Sequence, residues 1–151
     1  MKKTSILILL LFTTTFLFSQ KKEKLKGSKI VTIEKREIGT FESIEISDNI
    51  EVYLDKGEKS ELKIEADDNL HDIFNIDLSS ATLRIHTSKT ASNYKKLIVR
   101  ITYTNELKMI TSKEETVINA IQEIQLNEIT FKSFDDSKLF LNVVAKNFNL
   151  L

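Results

Sequence analysis

From Lys29 onward, apolar and polar positions alternate along the chain. Ile44 and Ile46 begin one run, and Ile50, Val52 and Leu54 make the next. Leu62, Ile64 and Ala66 follow, then Leu83 and Ile85, then the longest run, Leu97, Val99, Ile101 and Tyr103. A period of two places one set of side chains on a buried face and the other in water. Ile, Val, Thr, Tyr and Phe dominate these runs, as suits a pleated, half-buried surface. The breaks between them, Asp48-Asn49, Asp55-Lys56-Gly57-Glu58, Asp67-Asp68-Asn69 and Ser79-Ser80, are built from turn formers. Only Asn69 to Phe74 predicts helix, a turn or two with Leu70, Ile73 and Phe74 on one face. Asp67, Asp68 or Asn69 would cap it. The chain is predicted to be all-β.

The last third adds a repeat. Leu107-x-x-Ile110-Thr111-x-Lys113 and Leu126-x-x-Ile129-Thr130-x-Lys132 share one pattern, 126 − 107 = 19 residues apart. Phe148 to Leu151 opens a third copy, 148 − 126 = 22 residues further on. Each full copy is followed by an acidic corner, Glu114-Glu115 and then Asp135-Asp136, and by a second apolar stretch. Short strands, polar corners and a period near 20 predict a right-handed parallel β-helix or β-solenoid. Equivalent residues should then form ladders: Leu107 near Leu126 and Phe148, Ile110 near Ile129 and Leu151, and Lys113 over Lys132. A β-sandwich of hairpins would also alternate. This segment lacks the Asn-Gly, Asp-Gly or Gly-Gly pair that two-residue hairpins favour. The last copy stops inside an apolar stretch, which predicts a truncated C-terminal end. Such an open end invites pairing with another chain.

The N-terminus reads differently. Met1-Lys2-Lys3 is positive, Ile6 to Phe18 is apolar apart from three threonines, and Ser19 precedes the polar Gln20-Lys21-Lys22. This is the layout of a secretory signal peptide over residues 1–19. The apolar run is shorter than the roughly 20 residues that span a bilayer. Residues 20–28, with lysines and one leucine, are expected to be a flexible tether. Residues 29–151 form the domain.

Composition narrows the chemistry. The 151 residues hold 22 basic and 22 acidic side chains and no cysteine, proline or tryptophan. Without Lys2 and Lys3 the processed chain has 22 − 2 = 20 basic against 22 acidic residues, so nothing attracts nucleic acid globally. Absence of cysteine excludes disulfides, thiolate metal sites, cysteine nucleophiles and a lipid-modified cysteine. His71 and His86 share no motif, and no G-x-S-x-G or phosphate-cradling loop occurs. The best chemical candidates are the corner carboxylates Glu114, Glu115, Asp135 and Asp136. Stacked in a solenoid they could bind calcium or act as an acid–base pair, although solvated acidic turns are the plainer account. Phe131 and Phe134 flank Lys132-Ser133 near a corner and are candidates for a sugar-stacking patch. Core or subunit contact is the competing role. No cofactor is expected.

Several stretches in order resemble the head GIN domain family of putative auto-transporter adhesins, common in exported Bacteroidetes proteins. Phe41-Glu-Ser-Ile44-Glu45-Ile46-Ser47-Asp-Asn-Ile50-Glu-Val52-Tyr53-Leu54-Asp-Lys-Gly57 resembles its opening block, and Ile64-Glu65-Ala66-Asp67-Asp68-Asn69-Leu70 its second. Leu83 to Ile85 and Leu97 to Tyr103 match the two strands that follow. The likeness covers residues 30–151. It implies a β-solenoid, export to the cell envelope and no established enzymatic activity. Family corners usually carry Gly-Ser or Ser-Gly pairs, where this chain has Asp48-Asn49 and Ser112 to Glu115.

These readings converge on an exported, non-enzymatic envelope protein of a Gram-negative bacterium, periplasmic or surface-exposed and not a lipoprotein. Its ladder surface would bind a glycan or a protein, with self-association through the open C-terminal end. The alternatives are a polysaccharide lyase or hydrolase on the same scaffold, and a periplasmic partner in envelope stress signalling.

Overall fold

The computed structural model describes residues 21–151, so the expected signal at 1–19 lies outside the described residues. Five strands open the described chain: β1 (Lys24–Lys26), β2 (Val31–Arg36), β3 (Ser43–Ile46), β4 (Glu51–Lys56) and β5 (Glu61–Asp67). A 3-10 helix, Asp68–Ile73, leads into β6 (Phe74–Ser79), β7 (Thr82–Thr87), β8 (Thr90–Ser92) and β9 (Leu97–Tyr103). The repeat region holds β10 (Met109–Ser112), β11 (Val117–Ala120), β12 (Ile124–Ser133), β13 (Lys138–Phe140) and β14 (Val143–Leu150).

The strands form two six-stranded sheets, ordered β14-β12-β10-β3-β7-β6 and β13-β11-β4-β9-β5-β2, plus the pair β1-β8. The core lies on their inner positions. Ile44, Ile46, Leu83, Ile85 and Ile110 come from the first sheet, and Val52, Leu54, Leu62, Ile64, Val99 and Ile118 from the second, each at most 1% exposed. This is the alternation read from the sequence.

The pairing departs from an all-parallel coil. β10–β12, β12–β14, β11–β13, β3–β10, β4–β11, β3–β7 and β4–β9 are parallel. At the other end of the stack, β2–β5, β5–β9 and β6–β7 are antiparallel. The β6–β7 hairpin turns on Ser80-Ala81, with φ of 49° and 57°. Both central residues are left-handed, as this tight turn requires, but neither is the glycine or asparagine that would reveal it. The coils are also out of chain order. β3 and β4 lie between the β7/β9 layer and the β10/β11 layer, so Ile110 pairs with Ile44 across 110 − 44 = 66 residues.

The predicted ladders shift, by two residues between β10 and β12 and by three between β12 and β14, where Ile129 meets Phe148 rather than Leu151. Ile110 pairs with Phe131, not Ile129, a spacing of 131 − 110 = 21. Ile129 pairs with Phe148, and Phe131 with Leu150, each 19 apart. Lys132 therefore lies beside Thr111 rather than Lys113, and Lys113 instead pairs with Glu45 at 2.6 Å. Between β10 and β12 the shift of two preserves the buried face and separates the like charges.

The two ends of the stack differ. On β2, Thr32, Glu34 and Arg36 lie opposite the fully buried Ala66, Ile64 and Leu62, so polar groups occupy the inner positions there. Beneath them His71, 2% exposed, has its Nε2 2.9 Å from the Thr32 hydroxyl and its Nδ1 3.7 Å from the Glu34 carboxylate. At the opposite end, the last inner residues Phe148 and Leu150 are 52% and 63% exposed.

Candidate functional site

Three successive corners align where the chain passes from one sheet to the other. Asp48, Glu114 and Asp135 all adopt left-handed backbone, with φ of 74°, 58° and 58°. Glycine would do so without strain. The acidic residues instead contribute a carboxylate. The Thr87 N–H donates to Asp48 at 2.7 Å, the Asp48 N–H to Glu114 at 3.0 Å, and the Glu114 N–H to Asp135 at a longer 3.4 Å. Each coil thus receives a corner N–H from the coil before. Lys22 forms an ion pair with Asp48. Burial alone would raise the Asp48 carboxyl, but Lys22 and the Thr87 N–H outweigh it and hold it below the usual range.

Of the calcium candidates, Glu114, Glu115 and Asp135 are already engaged, while Asp136 lines a neighbouring hollow. Glu114 and Asp135 accept backbone N–H groups, and Glu115 accepts from the Asn49 amide at 3.0 Å. Among the described residues no group of three or more His, Cys, Asp or Glu is placed to hold a metal ion. Phe131 is 1% exposed, stacked at a tilt on Phe148 with ring centroids 5.6 Å apart, and is core rather than a sugar platform. Phe134 is 47% exposed at the corner.

Beside this corner runs a groove that sequence reasoning did not find. One hollow of about 410 Å³ is lined by Asn49, Glu51, Tyr94, Lys95, Lys96, Leu97, Ile98 and Val117. A second, about 630 Å³, is lined by Asn49, Glu115, Val117, Asp136, Ser137 and Lys138. They share Asn49 and Val117, so the groove crosses several layers of the stack. Its walls offer carboxylate acceptors, ammonium donors, an amide and one aromatic ring. The Tyr94 hydroxyl is pushed up by burial, and further by the carboxylates of Glu51 and Glu115.

A buried carboxylate fixes the loop that carries Tyr94. Asp67 is 0% exposed. It accepts the Lys29 N–H at 2.8 Å, the Lys95 N–H at 3.0 and 3.2 Å, and the Lys96 N–H at 3.0 Å. Burial would raise its carboxyl, but these donors hold it below the usual range. The expected helix cap is thus corrected: Asp67 sits at the N-cap of the 3-10 helix and makes no side-chain cap bond. Its oxygens serve the neighbouring loops instead. The segment expected to be a tether takes part as well. β1 pairs with β8 in parallel, and a Cβ on Gly27 would lie 2.7 Å from the Tyr94 Cα. Only glycine permits that approach. The lysine-rich composition concealed this order because backbone pairing to β8, with Leu25 alone packing on the core, supplies it.

The groove's outer rim is also held. Lys96 and Arg100 pair with Glu65 at 2.5 and 3.2 Å. Arg100 lies over the Tyr53 ring at 5.0 Å, and the Tyr53 hydroxyl donates to Glu51 at 2.8 Å.

No curated protein is detectably similar to this chain in sequence. Solved structures are similar in fold. A putative adhesin from Parabacteroides merdae ATCC 43184 is 17% identical with a TM-score of 0.63, covering 85% of this chain and 61% of its own. A putative lipid binding protein from Parabacteroides distasonis ATCC 8503 is 12% identical with a TM-score of 0.64, covering 85% and 63%. A putative adhesin from the same organism is 12% identical with a TM-score of 0.60, covering 85% and 68%. The chain thus spans under two thirds of the length of the first two. Among the described residues no helix is long and apolar enough to cross a membrane. With the β-rich stack and its opening block in place, the match of residues 40–150 to the family described as "Putative auto-transporter adhesin, head GIN domain" shows that the chain belongs to that family.

Proposed function

We propose that this chain is an exported, non-enzymatic binding protein of the cell envelope, and that its groove takes a glycan. The observation that carries this reading is the continuous groove through Tyr94, Glu51, Asn49, Glu115 and Asp136. It mixes polar and apolar side chains, lies open to water and is furnished with one ring. Sugars are bound by hydrogen bonds to hydroxyls together with an aromatic face, whereas protein partners usually need a desolvated apolar anchor. The groove also differs from a lipid site, which would enclose an apolar cavity. The stacked coils from β10 onward support a right-handed parallel β-solenoid as the scaffold. The signal-like N-terminus supports export to the periplasm or cell surface.

A glycan array probed with the purified chain tests the groove. Saturable binding to a defined class of glycan, weakened by Tyr94→Ala, is expected. Binding indifferent to Tyr94, Glu115 and Asp136 overturns the site. Glycan cleavage during the assay would favour the hydrolase or lyase instead. Capture of one envelope protein, with no glycan bound, would favour the signalling partner.

A further inference from the structure

We propose that residues 22–29 form a strap that holds the Tyr94 loop in its binding position, so that docking of the strap and occupation of the groove are coupled. The proposal rests on the reading of the groove as a binding site and adds how that site is assembled and controlled. The loop between Lys89 and Lys96 carries β8 and Tyr94. Among the described residues β8 has no strand neighbour but β1. The other bonds of the loop run the same way. The Thr90 N–H donates to the Glu23 carbonyl at 2.9 Å, and the Gly27 N–H to the Ser92 carbonyl at 3.0 Å. The Lys29 ammonium donates to the Asn93 side chain at 2.8 Å, and Lys89 pairs with Glu23 at 2.8 Å. Leu25, its register partner Ala91 and Tyr94 all pack against the core. With the strap removed, β8 loses its ladder, and its backbone groups have no strand to pair with.

Three consecutive residues clip strap and loop together. The Asp67 carboxylate accepts the Lys29 N–H from the strap and the Lys95 and Lys96 N–H groups from the loop. Asp68 accepts the Ser28 hydroxyl at 2.5 Å. Asn69 accepts the Ser28 N–H at 2.9 Å and donates to the Lys26 carbonyl at 2.8 Å. At the far end of the strap, Lys22 pairs with Asp48, next to Asn49, which lines both hollows. The strap therefore meets the groove at two places, Tyr94 and the Asp48-Asn49 corner. The exposed Lys89–Glu23 pair adds little. One three-residue ladder and one apolar side chain hold less than the sheets do, so the strap should release before the stack unfolds. Once it is released, the apparent affinity of the groove falls in proportion to the docked fraction. Reciprocally, a ligand in the groove holds the strap down by the same factor.

Amide hydrogen exchange of the full chain tests the strap without any ligand. Leu25→Asp should speed exchange at residues 22–29 and 89–94 together by about tenfold or more, while β4 and β9 keep their protection. Binding to the glycan array should fall about tenfold or more in the same variant. Lys24 and Thr90 are register partners and both exposed, and the chain has no cysteine of its own. A disulfide between Lys24→Cys and Thr90→Cys should therefore restore protection and binding in the Leu25→Asp chain, and its reduction should remove both again. If Leu25→Asp disturbs β9 as well, Gly27→Ala takes its place, since its added Cβ meets the Tyr94 backbone. Fast exchange in the strap with residues 89–94 still protected overturns the proposal. Unchanged glycan binding by a chain whose strap and loop both exchange fast overturns control of the groove. If no glycan binds the unaltered chain, the glycan reading falls, and the exchange of residues 89–94 alone decides the strap.

Discussion

Asp48 and Glu114 occupy the same corner of neighbouring coils, 66 residues apart in sequence, and the Asp48 N–H donates to the Glu114 carboxylate at 3.0 Å. Both residues are left-handed. The corner thus combines backbone strain with a charge-assisted hydrogen bond.

Asp48→Ala removes the carboxylate that accepts the Thr87 N–H at 2.7 Å and pairs with Lys22. A loss of about 2 kcal/mol is expected, the scale of a hydrogen bond to a charged group. Asp48→Gly loses the same bond but relieves the left-handed strain, so it should be more stable than the alanine variant by about 1 kcal/mol. Urea unfolding midpoints of the two variants check the order. Alanine equal to or above glycine would remove strain from the account.

Asp67 should make the fold acid-sensitive. Its folded-state carboxyl is held below its ordinary value by the N–H groups of Lys96, Lys29 and Lys95, against the effect of burial. A depressed folded value means the stabilisation is complete above the unfolded value, near ~3.9. It is lost as the pH falls through the folded value. Urea midpoints measured from pH 6 to pH 2 should fall over that window, and Asp67→Asn should flatten the slope while costing about 2 kcal/mol at neutral pH. A slope unchanged by Asp67→Asn would assign acid sensitivity elsewhere.

Tyr94 should carry groove binding, and Gly27 should control it from a distance. Tyr94→Ala is expected to weaken glycan binding at least tenfold, about 1.4 kcal/mol, and to lower the unfolding midpoint as well, because the ring packs against the core. Gly27→Ala forces a Cβ against the Tyr94 backbone, so it should weaken binding by moving the loop. Array intensity read beside thermal unfolding separates the two effects. Full binding by Gly27→Ala would break the link between arm and groove.

Phe131 and Phe134 should part company. Phe131→Ala opens a cavity at a 1% exposed site and should cost about 3 to 5 kcal/mol. Phe134, 47% exposed, should cost under about 1 kcal/mol on the same change. Equal losses in denaturant titrations would contradict the burial assigned to them.

The sequence by itself determined which residues face inward. Alternation is local chemistry, so Ile44, Val52, Leu83 and Val99 could each be placed on an inner face without knowing their partners, whereas the place of Phe131 was left open. It also determined that the last third coils, because Leu107 to Lys113 and Leu126 to Lys132 share one pattern. Register was beyond it: a shift of two residues keeps every side chain on its face, so the pattern cannot choose between Ile129 and Phe131 as the partner of Ile110. Layer order was beyond it as well, since nothing near Ser43 to Lys56 in sequence records that β10 and β11 will pack there 66 residues later. The groove is the sharpest case. Asn49, Tyr94, Glu115 and Asp136 lie on four separate stretches of chain, and each alone reads as an ordinary loop residue. Only the stacking of coils, fixed by backbone pairing between distant strands and by the buried carboxylate of Asp67, sets them along one wall.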